Sequence, residues 1–153
     1  MRVLYHVKPK SSSLLQYNWI MALKIFAKEC TNNHPPTQWL VNVNRKTGVF
    51  YLNNLIADDL GLEKGGKGLL AYDDETKEWL VAFGDDLPGF SLRKLSNHDY
   101  KDRLCFAGAK AVHTILNEIK AQRAATFVIS KRPKVIDGRN WYRILTKKPQ
   151  RIN

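Results

Sequence analysis

Seven residues in the middle of the chain carry part of the spacing of a phosphate-binding loop. Residues 61–67 read GLEKGGK and match the first seven positions of the motif GxxxxGK[ST]. The eighth position is Gly68, where the motif needs a hydroxyl that binds magnesium. A loop of this kind follows a strand and opens a helix, whereas this segment is predicted to follow a helix and open a strand. The pattern therefore indicates a glycine-rich turn and not a nucleotide site.

Carboxylates, histidines and cysteines are the other residues that could do acid–base, nucleophilic or metal chemistry. Three Asp pairs stand at positions 58–59, 73–74 and 85–86, where Asp is typical of turns because its side chain bonds the nearby backbone. The four histidines, at positions 6, 34, 98 and 113, have no Ser, Cys or carboxylate at a spacing that would assemble a site. Cys30 and Cys105 lack zinc or redox spacing. We predict no enzyme, no metal and no cofactor.

A basic and aromatic cluster near the C-terminus points to a polyanionic partner. The net charge is +11, and residues 101–153 hold thirteen basic and three acidic residues, against seven and ten in residues 45–100. Lys and Arg bind backbone phosphates, and Trp and Tyr stack on unpaired bases for roughly 1–3 kcal/mol each. We therefore predict that the second half binds nucleic acid through Lys131, Arg132, Lys134, Arg139, Trp141, Tyr142, Lys147 and Lys148.

Two plainer interpretations of this cluster stay open. Trp141 could be a core residue that corresponds to Trp79 in the first half, and the charges could serve only to keep the protein in solution. The segregation of the charges into one third of the chain favours a binding role.

Length and composition describe an ordinary globular chain. With 153 residues, 44% hydrophobic and 25% charged, one compact folded unit is expected. No apolar run approaches the roughly 20 residues of a membrane span, and Lys24 interrupts the short apolar run at 19–23. We predict a cytoplasmic protein without a membrane segment.

The first 36 residues are predicted to be an extension of the folded unit. Leu15, Trp19, Leu23 and Phe26 recur at helical spacing, which favours a short amphipathic helix and a possible protein partner through residues 14–27. A linker at 31–36 ends in two prolines. Met21 is a second possible start.

The rest of the chain, residues 37–153, alternates short strands with two helices. Strands are predicted at 39–43, 48–52, 68–72, 78–83, 90–93, 103–106, 126–130 and 141–145, and helices at 53–60 and 109–120. The order strand, strand, helix, strand, strand thus occurs twice, in copies at about 37–86 and 87–148. We predict an α+β, β-rich domain in which two ββαββ-like repeats form a small barrel or packed sheets.

The first copy resembles the AbrB/SpoVT/MazE class of DNA-binding domains. The resemblance covers about a third of the chain and lies in a strand at 49–52, a short helix at 54–59, the segment Leu60-Gly61-Leu62, a turn at 63–66 and a strand at 69–73. It implies a swapped-hairpin barrel and a DNA-binding regulator, with a possible homodimer or two copies in one chain. It also implies phosphate contacts from Arg45 and Lys46 in the first hairpin loop.

Two rival classes use the same residues differently. The strand order also resembles the whirly and Pur-alpha-like binders of single-stranded nucleic acid, whose sheet faces hold unpaired bases, so that Trp79, Trp141 and Tyr142 would matter most. A phage or toxin–antitoxin interaction module would instead use the N-terminal helix. The sequence leaves duplex DNA, single-stranded DNA and RNA all open as ligands.

Overall fold

A computed structural model of the chain describes residues 37–95 and 103–153. Within them, the first half contains β1 (Trp39–Asn44), β2 (Val49–Leu52), α1 (Asn54–Leu60), β3 (Lys67–Asp73) and β4 (Glu78–Phe83). The second half contains β5 (Phe90–Ser91), β6 (Arg93–Leu95), β7 (Arg103–Ala107), α2 (Ala109–Glu118), β8 (Ala124–Ile129), β9 (Lys134–Ile136), β10 (Arg139–Ile144) and β11 (Arg151–Ile152). Both expected helices and most expected strands are present, with ends shifted by one or two residues. The strand expected at 90–93 is instead two short strands, β5 and β6, and the short strands β9 and β11 were not expected.

The strands form one antiparallel sheet that curls into a nearly closed barrel. Its order is β5-β3-β4-β10-β8-β1-β2-β7-β6, with β11 added to β8 and β9 to β10. β5 pairs with β3 and the following β6 pairs with β7, so residues 90–95 join the two ends of the sheet. The expected β-rich architecture is confirmed at this level. This architecture does not confirm the expectation that the domain consists of two repeats.

Alternation along each strand decides which side chains enter the barrel. In β1, Trp39, Val41 and Val43 are buried, while Asn42 and Asn44 point outward. In β10, Tyr142 and Ile144 are buried, while Trp141 and Arg143 lie on the other face. This alternation sets which polar residues the outer surface displays.

Aromatic and aliphatic side chains from both halves fill the interior. The rings of Phe50 and Phe106 stack with centroids 4.7 Å apart, and Phe90 stacks on the other face of Phe106. Ile56 of α1 and three residues of α2 are fully buried against this core: Val112, Ile115 and Leu116. The two helices therefore cover the barrel and share its core.

Local signals explain where α1 begins and ends. The Asn53 side chain accepts a hydrogen bond from the Ile56 amide, which satisfies a free donor of the first turn. Gly61 ends the helix at φ +63°, a conformation that costs glycine little. The glycine-rich segment then leads directly into β3, as the sequence predicts for a turn.

The closure of the barrel explains the glycine at position 68. Gly68 pairs with Phe90, and the Phe90 ring occupies the space in which a side chain at position 68 would lie. A serine or threonine there would collide with the ring. Position 68 is therefore shaped by packing, and not by a phosphate ligand.

Several expectations concern residues 1–36, which lie outside the described residues. They include the N-terminal helix, the protein partner at 14–27, the Pro-Pro linker and the alternative start at Met21. In the described part of the chain, neither helix has the length and apolar character that a membrane crossing requires.

Candidate nucleic-acid interface

Three cations of the second half are paired with carboxylates of the first half. Lys134 contacts Asp73 at 3.4 Å, and Arg139 contacts Asp86 at 2.6 Å. The third pair joins Arg143 and Glu78 at 3.6 Å. These pairs arise because β10 lies antiparallel to β4 and thereby brings the basic hairpin onto the acidic β3–β4 hairpin.

The carboxylates in two of these pairs have lowered pKa values. The pKa of Asp86 lies below its usual value because Arg139 hydrogen-bonds the carboxylate. The pKa of Asp73 is lowered first by the amides of Glu75 and Thr76 and only slightly by Lys134. The Asp73 carboxylate therefore mainly stabilises the turn that follows it, as expected for Asp in such a position.

Trp141 and Tyr142 are adjacent in β10 and lie on opposite faces of the sheet. Tyr142 is only 8% exposed, and its ring packs edge-on against Trp39 at 5.3 Å. Trp141 lies opposite Lys134 in the β9–β10 pair, and it lines a shallow surface hollow with Tyr72. Trp141 is thus not a core residue like Trp79, and Tyr142 has no face free for a base.

Arg45 forms hydrogen bonds with groups at and just after the C-terminal end of α2. Its guanidinium donates to the carbonyl oxygens of Ala121 and Gln122 at 2.8 and 3.1 Å and to Oδ1 of Asn117 at 2.9 Å. A cation beside a helix C-terminus also interacts favourably with the helix dipole. Its neighbour Lys46 is exposed. The hairpin loop therefore offers one exposed cation and one that is already hydrogen-bonded.

Besides Lys46, four of the predicted contact residues are exposed cations outside the ion pairs described above. They are Lys131, Arg132, Lys147 and Lys148. Lys131 lies over the Trp39 ring, with Nζ 5.9 Å from its centroid. Lys131 and Arg132 follow β8, while Lys147 and Lys148 follow β10. The structure therefore does not gather all ten predicted residues into one site.

The glycine-rich loop lines a cleft of about 860 Å³ together with residues 83–85 and 138–140. Its backbone amides are already engaged, since Gly65 donates to the Leu92 carbonyl and Gly66 to that of Glu63. The Lys67 ammonium donates to the Ser91 hydroxyl at 2.8 Å. Basic and acidic side chains both line this cleft, so it lacks the donor cradle of a phosphate-binding loop.

A second groove, of about 530 Å³, lies on the outer face of the sheet. We call it the outer-face groove. Among the residues that the structure describes, its lining has no Asp or Glu and comprises Leu40, Asn42, Asn44, Tyr51, Asn53, Leu95, Arg103, Ala124, Thr126, Arg151 and Asn153. It carries two arginines, one aromatic ring and several neutral polar groups.

Strand register places six residues in a single row across this face, and two of them, Thr126 and Cys105, are buried. The pairings are Arg151 with Thr126, Thr126 with Asn42, Asn42 with Tyr51, Tyr51 with Cys105, and Cys105 with Arg93. An arginine therefore ends the row on each side. Sequence reasoning missed this surface because its residues come from six separate segments. The local signal that the sequence offers is the polar Asn42 and Asn44 at outward positions of β1.

Two further residues that could do chemistry, Asp59 and His113, have structural partners. Asp59 accepts a hydrogen bond from Nε1 of Trp39 at 2.8 Å, and Nδ1 of His113 lies 3.4 Å from Arg45. Burial raises the pKa of the Cys105 thiol. In residues 37–95 and 103–153, no three His, Cys, Asp or Glu side chains come close enough to hold a metal ion.

Comparison with protein-family models, with curated proteins and with solved structures finds no match for this chain.

Proposed function

We propose that the protein is a non-enzymatic nucleic-acid-binding protein whose exposed cations contact backbone phosphates. The contacts assigned to this role are Lys46, Lys131, Arg132, Lys147 and Lys148. Arg45, Lys134 and Arg139 are assigned a structural role, because their charges already meet partners within the fold.

The observation that carries the proposal is the basic charge that remains after internal pairing. Residues 103–153 hold twelve basic and two acidic residues. Three of these cations pair with the carboxylates of Asp73, Glu78 and Asp86, which lie in or just after the β3–β4 hairpin. The exposed cations after β8 and β10 have no such partner among the described carboxylates. Such a one-sided positive field attracts polyanions.

We also infer that the two halves are copies of one ββαββ unit, as in a duplicated AbrB-like regulator. Exchanging the halves leaves the strand pairings unchanged: β2 pairs with β7, and β4 with β10. Likewise β1 bridges β2 and β8, while residues 90–95 bridge β7 and β3. This pairing supports a regulator that presents related surfaces from both halves to DNA.

The outer-face groove favours a second candidate, a binder of single-stranded nucleic acid of the whirly or Pur-alpha type. A sheet face that combines an aromatic ring with arginines and amides suits unpaired bases. The aromatic residue concerned is Tyr51, and not the buried Trp79 and Tyr142 that the sequence suggests.

A salt titration of matched charge variants tests the proposal. The change Lys131→Ala with Arg132→Ala should reduce the slope of log affinity against log salt by about 1.4 on single strands or 1.8 on duplex, since two phosphate contacts are lost. The pair Lys134→Ala with Arg139→Ala removes the same charge from ion-paired positions and should change the slope by less than about 0.5.

Binding is measured by fluorescence anisotropy with labelled single-stranded and duplex DNA of equal length. Equal slopes for the two double variants would contradict the assignment of contacts. A parent protein that binds neither DNA at low salt would overturn nucleic-acid binding and leave the protein-interaction alternative.

A further inference from the structure

We propose that the cleft beside the glycine-rich loop binds an uncharged nucleobase, which Tyr142 and Asn140 recognise at its hydrogen-bonding edge. We call this space the glycine-loop cleft. The inference rests on the proposed function and deepens it, because it names the part of an unpaired strand that the protein holds besides the phosphates.

The walls of the glycine-loop cleft are fixed by contacts within the fold. They come from residues 60–67, 83–85, 92 and 138–142. The Gly65 amide donates to the Leu92 carbonyl at 2.9 Å, which fastens the glycine-rich loop. The Arg139–Asp86 pair joins the other two walls, and it needs glycine at position 84, where a Cβ would lie 2.7 Å from Nη1 of Arg139. At about 860 Å³ the cleft has the size of a small-molecule site.

The Tyr142 hydroxyl is a polar group of this cleft that the fold leaves unpaired. Tyr142 lines the cleft and is only 8% exposed. In the part of the chain that the structure describes, no group forms a hydrogen bond with this hydroxyl. Nearly all buried polar groups have a partner, because an unpaired group loses its hydration without compensation. A ligand in the cleft would supply that partner.

Asn140 adds an amide on the same side of β10. Residues two apart in a strand point to the same face, and Asn140 lines the cleft together with Tyr142. Its side chain is likewise without a hydrogen bond to any described residue. An amide presents a donor and an acceptor side by side, which matches the paired donor and acceptor on the edge of a base. Leu62 and Phe83 supply apolar contacts for the ring.

The charges of the cleft favour a base over a phosphate. Glu63 and Asp85 line it, and neither belongs to an ion pair of the described residues. Of the lining cations, Lys67 donates to a serine hydroxyl and Arg139 is paired with a carboxylate, which leaves Lys64. Two unpaired carboxylates against one cation repel an anion. The group that enters the cleft is therefore uncharged.

A single strand can reach the cleft and a proposed phosphate contact at the same time. The Trp39 ring lies between them: it packs against Tyr142 at 5.3 Å, and Nζ of Lys131 lies 5.9 Å from its centroid. The cleft and the exposed ammonium of Lys131 are thus separated by the width of one indole ring. A base in the cleft and a neighbouring phosphate on Lys131 are compatible with one strand.

The test uses the full chain and three labelled probes, which are a 12-nucleotide oligothymidylate, a 12-mer of abasic deoxyribose phosphates and a 12-base-pair duplex. Tyr142→Phe should weaken binding of oligothymidylate by about 2- to 12-fold, since one hydrogen bond is lost. Binding of the abasic strand and of the duplex should stay within twofold, because neither offers a free base edge. Tyr72→Phe removes a hydroxyl outside the cleft and should bind every probe like the parent.

Thermal melting separates recognition from folding. Tyr142→Phe should melt at the temperature of the parent or above it, because the hydroxyl that it removes has no partner among the described residues. Asn140→Ala changes an exposed residue and provides a second folded variant, with an expected loss of about 2- to 12-fold on oligothymidylate alone.

Thymidine, which carries the base without a phosphate, distinguishes a free nucleoside from a base within a strand. In an NMR titration it should shift the amide signals of Gly65, Gly66 and Asn140, with a Kd of about 0.1–10 mM. Competition between thymidine and oligothymidylate identifies the base of a strand as the occupant. Binding of thymidine without binding of any strand supports the cleft as a nucleoside site and overturns the proposed function.

The opposite result leaves the proposed function standing. If folded Tyr142→Phe and Asn140→Ala bind oligothymidylate like the parent and thymidine shifts no cleft signal, the base site is overturned. Weaker binding by Lys131→Ala with Arg132→Ala in the same experiment would then show that phosphate contacts alone hold the strand.

Discussion

The basic β9–β10 hairpin and the outer-face groove differ in a way that sequence charge alone does not reveal. The hairpin and its flanks are the most basic stretch of the chain, yet Lys134, Arg139 and Arg143 each lie beside a carboxylate. The groove takes Arg103, Arg151 and the Tyr51 ring from distant segments, and none of its described lining residues is a carboxylate. Charge that is concentrated along the chain can be neutralised by folding, while scattered cations can be brought into one row.

The largest effect is expected when the two adjacent aromatic residues of β10 are truncated. Tyr142→Ala removes a buried ring that packs on Trp39 and should lower the free energy of unfolding by about 3–5 kcal/mol. Trp141→Ala acts on the outward face and should cost about 1 kcal/mol. Urea unfolding measures both values. Equal losses would mean that Trp141 belongs to the core after all and that the hairpin has no outward aromatic.

A smaller effect is expected at the first hairpin loop. Arg45→Ala removes hydrogen bonds to the carbonyl oxygens that follow α2 and should cost about 1–2 kcal/mol of stability, discounted for its partial exposure. Its exposed neighbour serves as the control, since Lys46→Ala should change stability by less than about 0.5 kcal/mol.

The same two variants also distinguish a cation that stabilises the fold from a cation that contacts DNA. Arg45→Ala should leave the salt slope of DNA binding nearly unchanged, whereas Lys46→Ala should reduce it by about 0.7–0.9. If Arg45→Ala instead produces the larger loss of binding at full stability, the loop contact implied by the AbrB-like resemblance is the true one.

The smallest effect concerns the ion pair at Asp86. The folded state holds the pKa of this carboxyl below its unfolded value, so the pair adds stability above about pH 4, and that stability is lost as the pH falls through the lowered pKa. Asp86→Asn should therefore melt at a lower temperature than the parent at pH 7, and the difference should shrink towards pH 2. A difference that is constant with pH would show that the charge of Asp86 plays no part.

Asp86→Asn also releases Arg139 from its partner, so the same variant tests whether the ion pair limits DNA binding by the β9–β10 hairpin. If the ion pair is what prevents Arg139 from contacting DNA, the freed guanidinium should increase the slope of log affinity against log salt by up to about 0.7 on single strands. Anisotropy titrations at several salt concentrations test this, with Asp85→Asn as a neighbour that carries no such pair.

Local structure was largely predictable from the sequence. The alternation of β1, the Asn53 cap and the Gly61 stop of α1, and the turn before β10 depend on residues close to one another along the chain. The turn character of the glycine-rich segment was predictable for the same reason. Periodicity also separates inward from outward side chains, and Asn42 and Asn44 are outward on that basis alone.

Strand partners were decided only by the tertiary structure. Period-two alternation states which face a residue occupies but not which strand lies beside it, and neighbours here come from opposite ends of the chain. The pairing of β10 with β4 placed Arg139 and Arg143 next to the acidic first half, and it turned Tyr142 inward. The pairings from β11 to β6 assembled Arg151, Asn42, Tyr51 and Arg93 into one row, because hydrogen bonding between strands links residues whose separation in sequence no local pattern records.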